Sequence, residues 1–204
     1  MCPLSGGRAL SVIQSKGGTG KTTTAMFLAT ALEENGRTVA VLDMDPQQSA
    51  TRWARATEDL RFPVVLTSSV RDLNSQLRRY SDLDYLIVDT PPGGSQLIDA
   101  AASVASLILV PTGVSPMEID RTQVTLDALA DLDTPVAVVL TNVDRRERLL
   151  DEVHAELVGN ETAALADVVI PTRASTRRAF GTSPKMTEPW KSLAIELEQA
   201  FAED

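Results

Sequence analysis

Short runs of consecutive apolar residues alternate along this chain with stretches whose apolar positions recur at helical spacing. The runs cover residues 10–13, 39–42, 64–66, 85–88, 107–110, 136–140 and 168–170. They are rich in β-branched residues and apolar at successive positions, the pattern of strands buried on both faces of a parallel sheet. After the first run, Ala25, Leu28, Ala29 and Leu32 fall on one helical face, and Gly36 can end that helix. Further helices are predicted over residues 72–80, 96–104 and 118–132. Within residues 188–204, Trp190, Leu193, Ala194, Leu197 and Phe201 form one stripe, which reads as a helix packed on the core. This alternation predicts a doubly wound α/β layer: a mostly parallel sheet of seven or eight strands, helices on both faces, right-handed crossovers. Ligands of such sheets bind beyond the carboxyl ends of the strands. With no internal repeat or interior linker, residues 9–204 read as a single domain and residues 1–8 as a disordered N-terminal lead.

Composition narrows this picture. A chain of 204 residues can bury a sizeable core, and 43% hydrophobic with only 4% aromatic residues suits an Ala/Val/Leu-rich α/β protein. No apolar run is long enough to span a membrane, and the first residues lack the apolar stretch of a signal peptide. The lone Cys2 cannot form an internal disulfide, which fits a cytoplasmic location. The net charge of −9 argues against a surface broadly adapted to nucleic acid, but leaves room for a local basic patch.

The candidate chemistry sits at strand ends. The first run leads into Lys16-Gly17-Gly18-Thr19-Gly20-Lys21-Thr22-Thr23. Such a glycine turn can aim its N–H groups inward and, with the positive end of the following helix, form an anion cradle. Lys21 can then reach the β- and γ-phosphates of a nucleotide, and the Thr22 hydroxyl can bind Mg²⁺. The second run ends in Asp43-Met44-Asp45-Pro46-Gln47, two carboxylates of which one can orient an attacking water. The fourth ends in Asp89-Thr90-Pro91-Pro92-Gly93, where the carboxylate fits a Mg²⁺ holder and the following residues a γ-phosphate sensor.

Ser15 stands where the common phosphate loop has glycine, and Lys16 is an added lysine. With these features the chain resembles the deviant Walker A ATPases, which include ParA partition proteins, MinD, the nitrogenase iron protein and arsenical pump ATPases. The continuation Ser49-Ala50-Thr51-Arg52-Trp53 is similar to small plasmid partition ATPases of the ParF type. The resemblance implies ATP/ADP and Mg²⁺ as cofactors, with residues 17–23 (Gly17, Gly18, Thr19, Gly20, Lys21, Thr22 and Thr23) holding the phosphates. It assigns metal ligation to Thr22 and Asp89, with Asp43 in support, and water activation to Asp45. It has Lys16 of each subunit completing its partner's site in an ATP sandwich dimer. It also brings Asn142 to the adenine edge and Pro171 over the ring. The missing lysine in Thr141-Asn142-Val143-Asp144 favours ATP over GTP.

Among members of that group, one cysteine cannot hold an iron–sulfur cluster, and no duplicated half is present. The alternative is a MinD-like or other cargo-positioning ATPase acting on a membrane or a protein scaffold; against the membrane, the last stripe has a mostly acidic polar side, which anionic lipids repel. The ParA branch remains: a slow ATPase stimulated by a ParB-type centromere-binding protein, binding non-specific DNA as an ATP dimer on the nucleoid. Arg173, Arg177, Arg178 and Lys185 lie in an acid-free stretch, and Arg145, Arg146 and Arg148 form a second cluster. These seven are the expected DNA footing.

Overall fold

The computed structural model describes residues 6–144, 153, 155, 157 and 162–202. Its elements run β1 (Arg8–Val12), α1 (Lys21–Glu34), β2 (Val39–Asp43), α2 (Ser49–Arg55), β3 (Val64–Leu66), α3 (Val70–Arg79), β4 (Tyr85–Asp89), α4 (Gln96–Val104), β5 (Leu107–Thr112), α5 (Pro116–Leu129), β6 (Val136–Val143), β7 (Ala164–Leu165), β8 (Ile170–Pro171), α6 (Ala174–Arg177) and α7 (Glu188–Ala200). Strand order is β3-β2-β4-β1-β5-β6-β7 in an 8-stranded sheet, with β8 also on β6. Every strand pairing among the described residues is parallel.

The continuous apolar runs are explained by cover on both faces. Leu10, Val12, Val39, Val41, Ile87 and Leu109 pack under α1, α2 and α7. Their immediate neighbours in sequence, among them Ala9, Leu42, Val88, Ile108 and Val110, pack under α3, α4 and α5. Helix α7 docks as its stripe predicts: Trp190, Leu193, Ala194 and Leu197 are buried, and Trp190 stacks on Phe27 of α1 at 5.0 Å. Among the described residues no helix is long and apolar enough to cross a membrane.

Several boundaries shift from expectation for local reasons. Strand β1 starts at Arg8, paired with Tyr85, so the sheet takes in the last residue assigned to the lead. The third helix starts earlier because Ser69 caps it through the Asp72 amide, and α5 because Ser115 and Glu118 form a capping box. Helix α2 was not predicted, and the run at 168–170 contributes only Ile170 to a strand.

β1 lies mid-sheet between β4 and β5, so the chain leaves it toward one side and later crosses to the other. The crevice at that change of direction lies beyond the carboxyl end of β1, where residues 14–20 turn into α1.

Candidate nucleotide and metal site

The turn is shaped by two left-handed glycines, Gly18 (φ 80°) and Gly20 (φ 92°), angles that a Cβ disfavours. Gly20 is the N-cap of α1 and supplies no side chain to its first amides, and the first turn holds no acid. The positive helix end is thus left for an external anion. Lys21 is buried, and its Nζ donates to the carbonyls of Gln14 (3.1 Å) and Lys16 (3.2 Å), curling the turn around itself. Burial lowers the Lys21 pKa, while the Asp89 and Asp45 charges pull it back up. Lys16 is half-buried, and its ammonium pairs with no carboxylate among the described residues.

Asp43 and Asp89 end adjacent strands in direct register. Both are fully buried, but they are served differently. Asp43 accepts the amides of Asp45 (3.2 Å) and Thr51 (2.7 Å). Its carboxylate therefore anchors the segment after β2 and caps α2 from outside that helix. The supporting role near the metal that the resemblance implies for Asp43 would thus fall to a carboxylate each of whose oxygens also holds a backbone amide. Among the described residues, nothing donates a hydrogen bond of ordinary geometry to either oxygen of Asp89. Burial pushes its pKa up to about 7; the Thr22 hydroxyl and Lys21 pull it down, and the Asp43 and Asp45 charges push it further up. An orphaned buried carboxylate beside a hydroxyl is a fitting donor pair for Mg²⁺, which in phosphate sites takes one or two protein oxygens plus water and phosphate.

Asp45 is half-exposed, accepts the Gln47 amide at 2.8 Å, and borders a cavity of about 370 Å³ together with Lys21, Thr22, Ser49 and Pro92. The segment after β4 is tied to the turn: Gly93 N–H donates to the Ser15 carbonyl (2.8 Å) and the Thr90 hydroxyl to that of Val12 (2.8 Å).

A second cavity, about 270 Å³, adjoins the first and is bordered by Thr19, Thr23, Asn142 and Pro171. Asn142 sits at φ 56° in an irregularity of the β6–β8 pairing, and its Oδ1 accepts the Thr172 hydroxyl at 3.0 Å. The Thr141 hydroxyl donates to the Thr19 carbonyl at 3.3 Å, joining this end to the turn. The two expected base-end residues are therefore brought together.

The expected DNA residues separate. Arg177 borders both cavities and Arg173 the second, whereas Arg178 and Lys185 are exposed and border neither. Arg145, Arg146 and Arg148 lie outside the described residues.

Sequence reasoning missed a buried polar network under the turn. Gln14, fully buried, donates to Thr122 (3.1 Å) and accepts from Thr125 (2.7 Å) and from the Ser15 amide (2.8 Å). Thr122 also donates to Thr112 at 2.7 Å. Helix α5 is thereby bonded to the entry of the turn. The partners lie about a hundred residues apart in the chain, so no local pattern announced them.

A family model described as the CobQ/CobB/MinD/ParA nucleotide binding domain matches residues 10–183. Maintenance of carboxysome distribution protein A of Gloeobacter kilaueensis is 38% identical over 142 residues, 68% of this chain and 65% of that relative's length. Protein ParA of Rhizobium radiobacter is 31% identical over 207 residues, 94% of this chain and 92% of its own. Among solved structures, pNOB8 ParA bound to nonspecific DNA superposes with a TM-score of 0.68 at 17% identity, covering 97% of this chain and 99% of that one, a likeness of fold. The residues matched by the family model include the turn and strand ends described above, and the chain belongs to the CobQ/CobB/MinD/ParA nucleotide-binding family.

Proposed function

We propose that this chain is a ParA-type partition ATPase, a switch that binds non-specific DNA as an ATP-closed homodimer and is released when a ParB-type centromere-binding protein stimulates its slow hydrolysis. The observation that carries the ATPase reading is the pairing of an uncapped α1 N-terminus and buried Lys21 with the orphaned Asp89 carboxylate. In this reading the amides of residues 17–23 and Lys21 hold the β- and γ-phosphates. The Thr22 hydroxyl and Asp89 would hold Mg²⁺, which supplies positive charge against the phosphate oxygens when bound. Asp45 orients the attacking water and accepts its proton. Lys16 of a second copy brings an ammonium to the γ-phosphoryl oxygens, so that self-association and hydrolysis become one event; its lack of an acidic partner within the described residues supports this.

Exposed Arg178 and Lys185 support a DNA contact. The DNA-bound relative of like fold is consistent with it, as is a nucleoid-associated place in the cytoplasm. A second reading, positioning of a protein cargo, is favoured by the name of the 38% identical relative. The test is light scattering and gel shift on random-sequence duplex. ATP is expected to give a dimer that shifts DNA, with the shift lost at higher salt. Asp45→Ala should keep the ATP dimer while blocking turnover, and Lys16→Ala should stay monomeric. A monomer that hydrolyses ATP at full rate, or a Lys16→Ala variant indistinguishable from wild type, refutes the proposal. Stimulation by a cargo adaptor and not by a centromere-binding protein selects the second reading.

A further inference from the structure

We propose that Arg177 is a nucleotide-positioning residue whose guanidinium grips the α-phosphate end of a nucleoside di- or triphosphate lying along the turn. This rests on the nucleotide-binding reading of the turn and removes Arg177 from the expected DNA footing.

The two cavities are adjoining lengths of one trough. Gly18, Gly20, Thr23, Thr176 and Arg177 border both of them. One length ends at Asn142 and Pro171, the other at Lys21, Thr22 and Asp45. A ligand with its base at Asn142 and its last phosphate near Asp45 must therefore pass between the glycine turn and Arg177. The turn side offers amides along its length and the Lys21 ammonium at the far end. Among the described residues, Arg177 is the one cation that borders both lengths, which places it beside the middle of such a ligand.

Its side chain is available for that task. Its contact among the described residues is Nη2 to Asn142 Oδ1 at 3.5 Å, a long bond that leaves most of its five donors open. No carboxylate among the described residues pairs with it. A planar guanidinium suits two-pronged binding of phosphate oxygens. The segment that carries it is also held in place. Trp53 of α2 donates its indole N–H to the Thr182 carbonyl at 2.8 Å, and the Trp53 and Phe180 rings meet at 5.8 Å. Helix α2 is in turn anchored by Asp43 through Thr51. Arg178, one residue on, borders neither length of the trough and remains free for DNA.

The experiment is fluorescent-nucleotide titration of the full chain with mant-ADP and mant-ATP in Mg²⁺, with DNA gel shifts at saturating ATP. Arg177→Ala is expected to weaken both nucleotides by about 10- to 100-fold and to the same degree, since both carry the α-phosphate. Arg177→Lys should recover part of the loss. Arg178→Ala should leave both affinities unchanged, and Arg177→Ala at saturating ATP should still shift DNA. Unchanged nucleotide affinity in a folded Arg177→Ala variant overturns the proposal, as does a loss confined to mant-ATP. Lys21→Ala separates the premises: if it loses binding while Arg177→Ala keeps it, this proposal alone falls. If Lys21→Ala binds as wild type, the phosphate-loop reading falls and Arg177 falls with it.

Discussion

Replacing Asp89 with asparagine removes the buried titration while preserving shape, and its effect on stability can be worked out in sign and size. The folded pKa is raised from 3.8 to about 7, chiefly by burial. Between those values the nucleotide-free folded protein holds a proton that the unfolded chain has released, so stability falls as pH rises through the window. A gap of roughly three pH units at about 1.36 kcal/mol each corresponds to a total on the order of 4 kcal/mol. Between pH 5 and pH 8 the part traversed is roughly 2–3 kcal/mol. The assay is urea unfolding of wild type and Asp89→Asn at several pH values in that range, with chelator and without nucleotide. The difference between the two proteins isolates Asp89 from every other titrating group. Asp89→Asn is expected to gain relative stability steadily toward pH 8. Added Mg²⁺ and ATP should reverse the order, because the bound cation compensates a carboxylate and gains nothing comparable from an amide. A difference that stays constant with pH refutes the reasoning, since Asp89 would then be solvated or already paired.

Two further outcomes test the supports of the site. Asp43→Ala should lower stability by about 2 kcal/mol, because two amides lose their acceptor, and hydrogen exchange should speed up over residues 44–55. Gln14→Leu should cost about 1 kcal/mol in thermal melts by removing the bonds that join Thr122, Thr125 and the Ser15 amide through one side chain, each of the three keeping another partner; a neutral effect would mean the network is not maintained in solution.

The ends of β1, β2 and β4 were legible because apolar runs covered on both faces are continuous in sequence, and their chemistry follows within a few residues. Helix α2 was not. It spans 7 residues, its N-cap Gln48 sits at φ 54° without a side-chain cap, and its cap comes from Asp43 on the preceding strand. A helix so short is set by its tertiary partners rather than by periodicity. The two-residue strand β7 carries too little pattern to be recognised, and the equally short β8 shares only Ile170 with the run at 168–170. The base-end pair Asn142 and Pro171 came from family resemblance, and the fold brings them to one cavity.

The amino-acid order alone determined the layered α/β architecture, the glycine turn with its two lysines, and the acids at the ends of two apolar runs. These depend on periodicity and on contacts between residues close in the chain. Tertiary structure decided how equal-looking residues divide their work: Asp43 takes amides while Asp89 is left bare, Arg177 enters the trough while Arg178 stays outside, and Gln14 becomes a buried junction. In each case the deciding partner lies on another element, and burial sets the energetic consequence of having or lacking it.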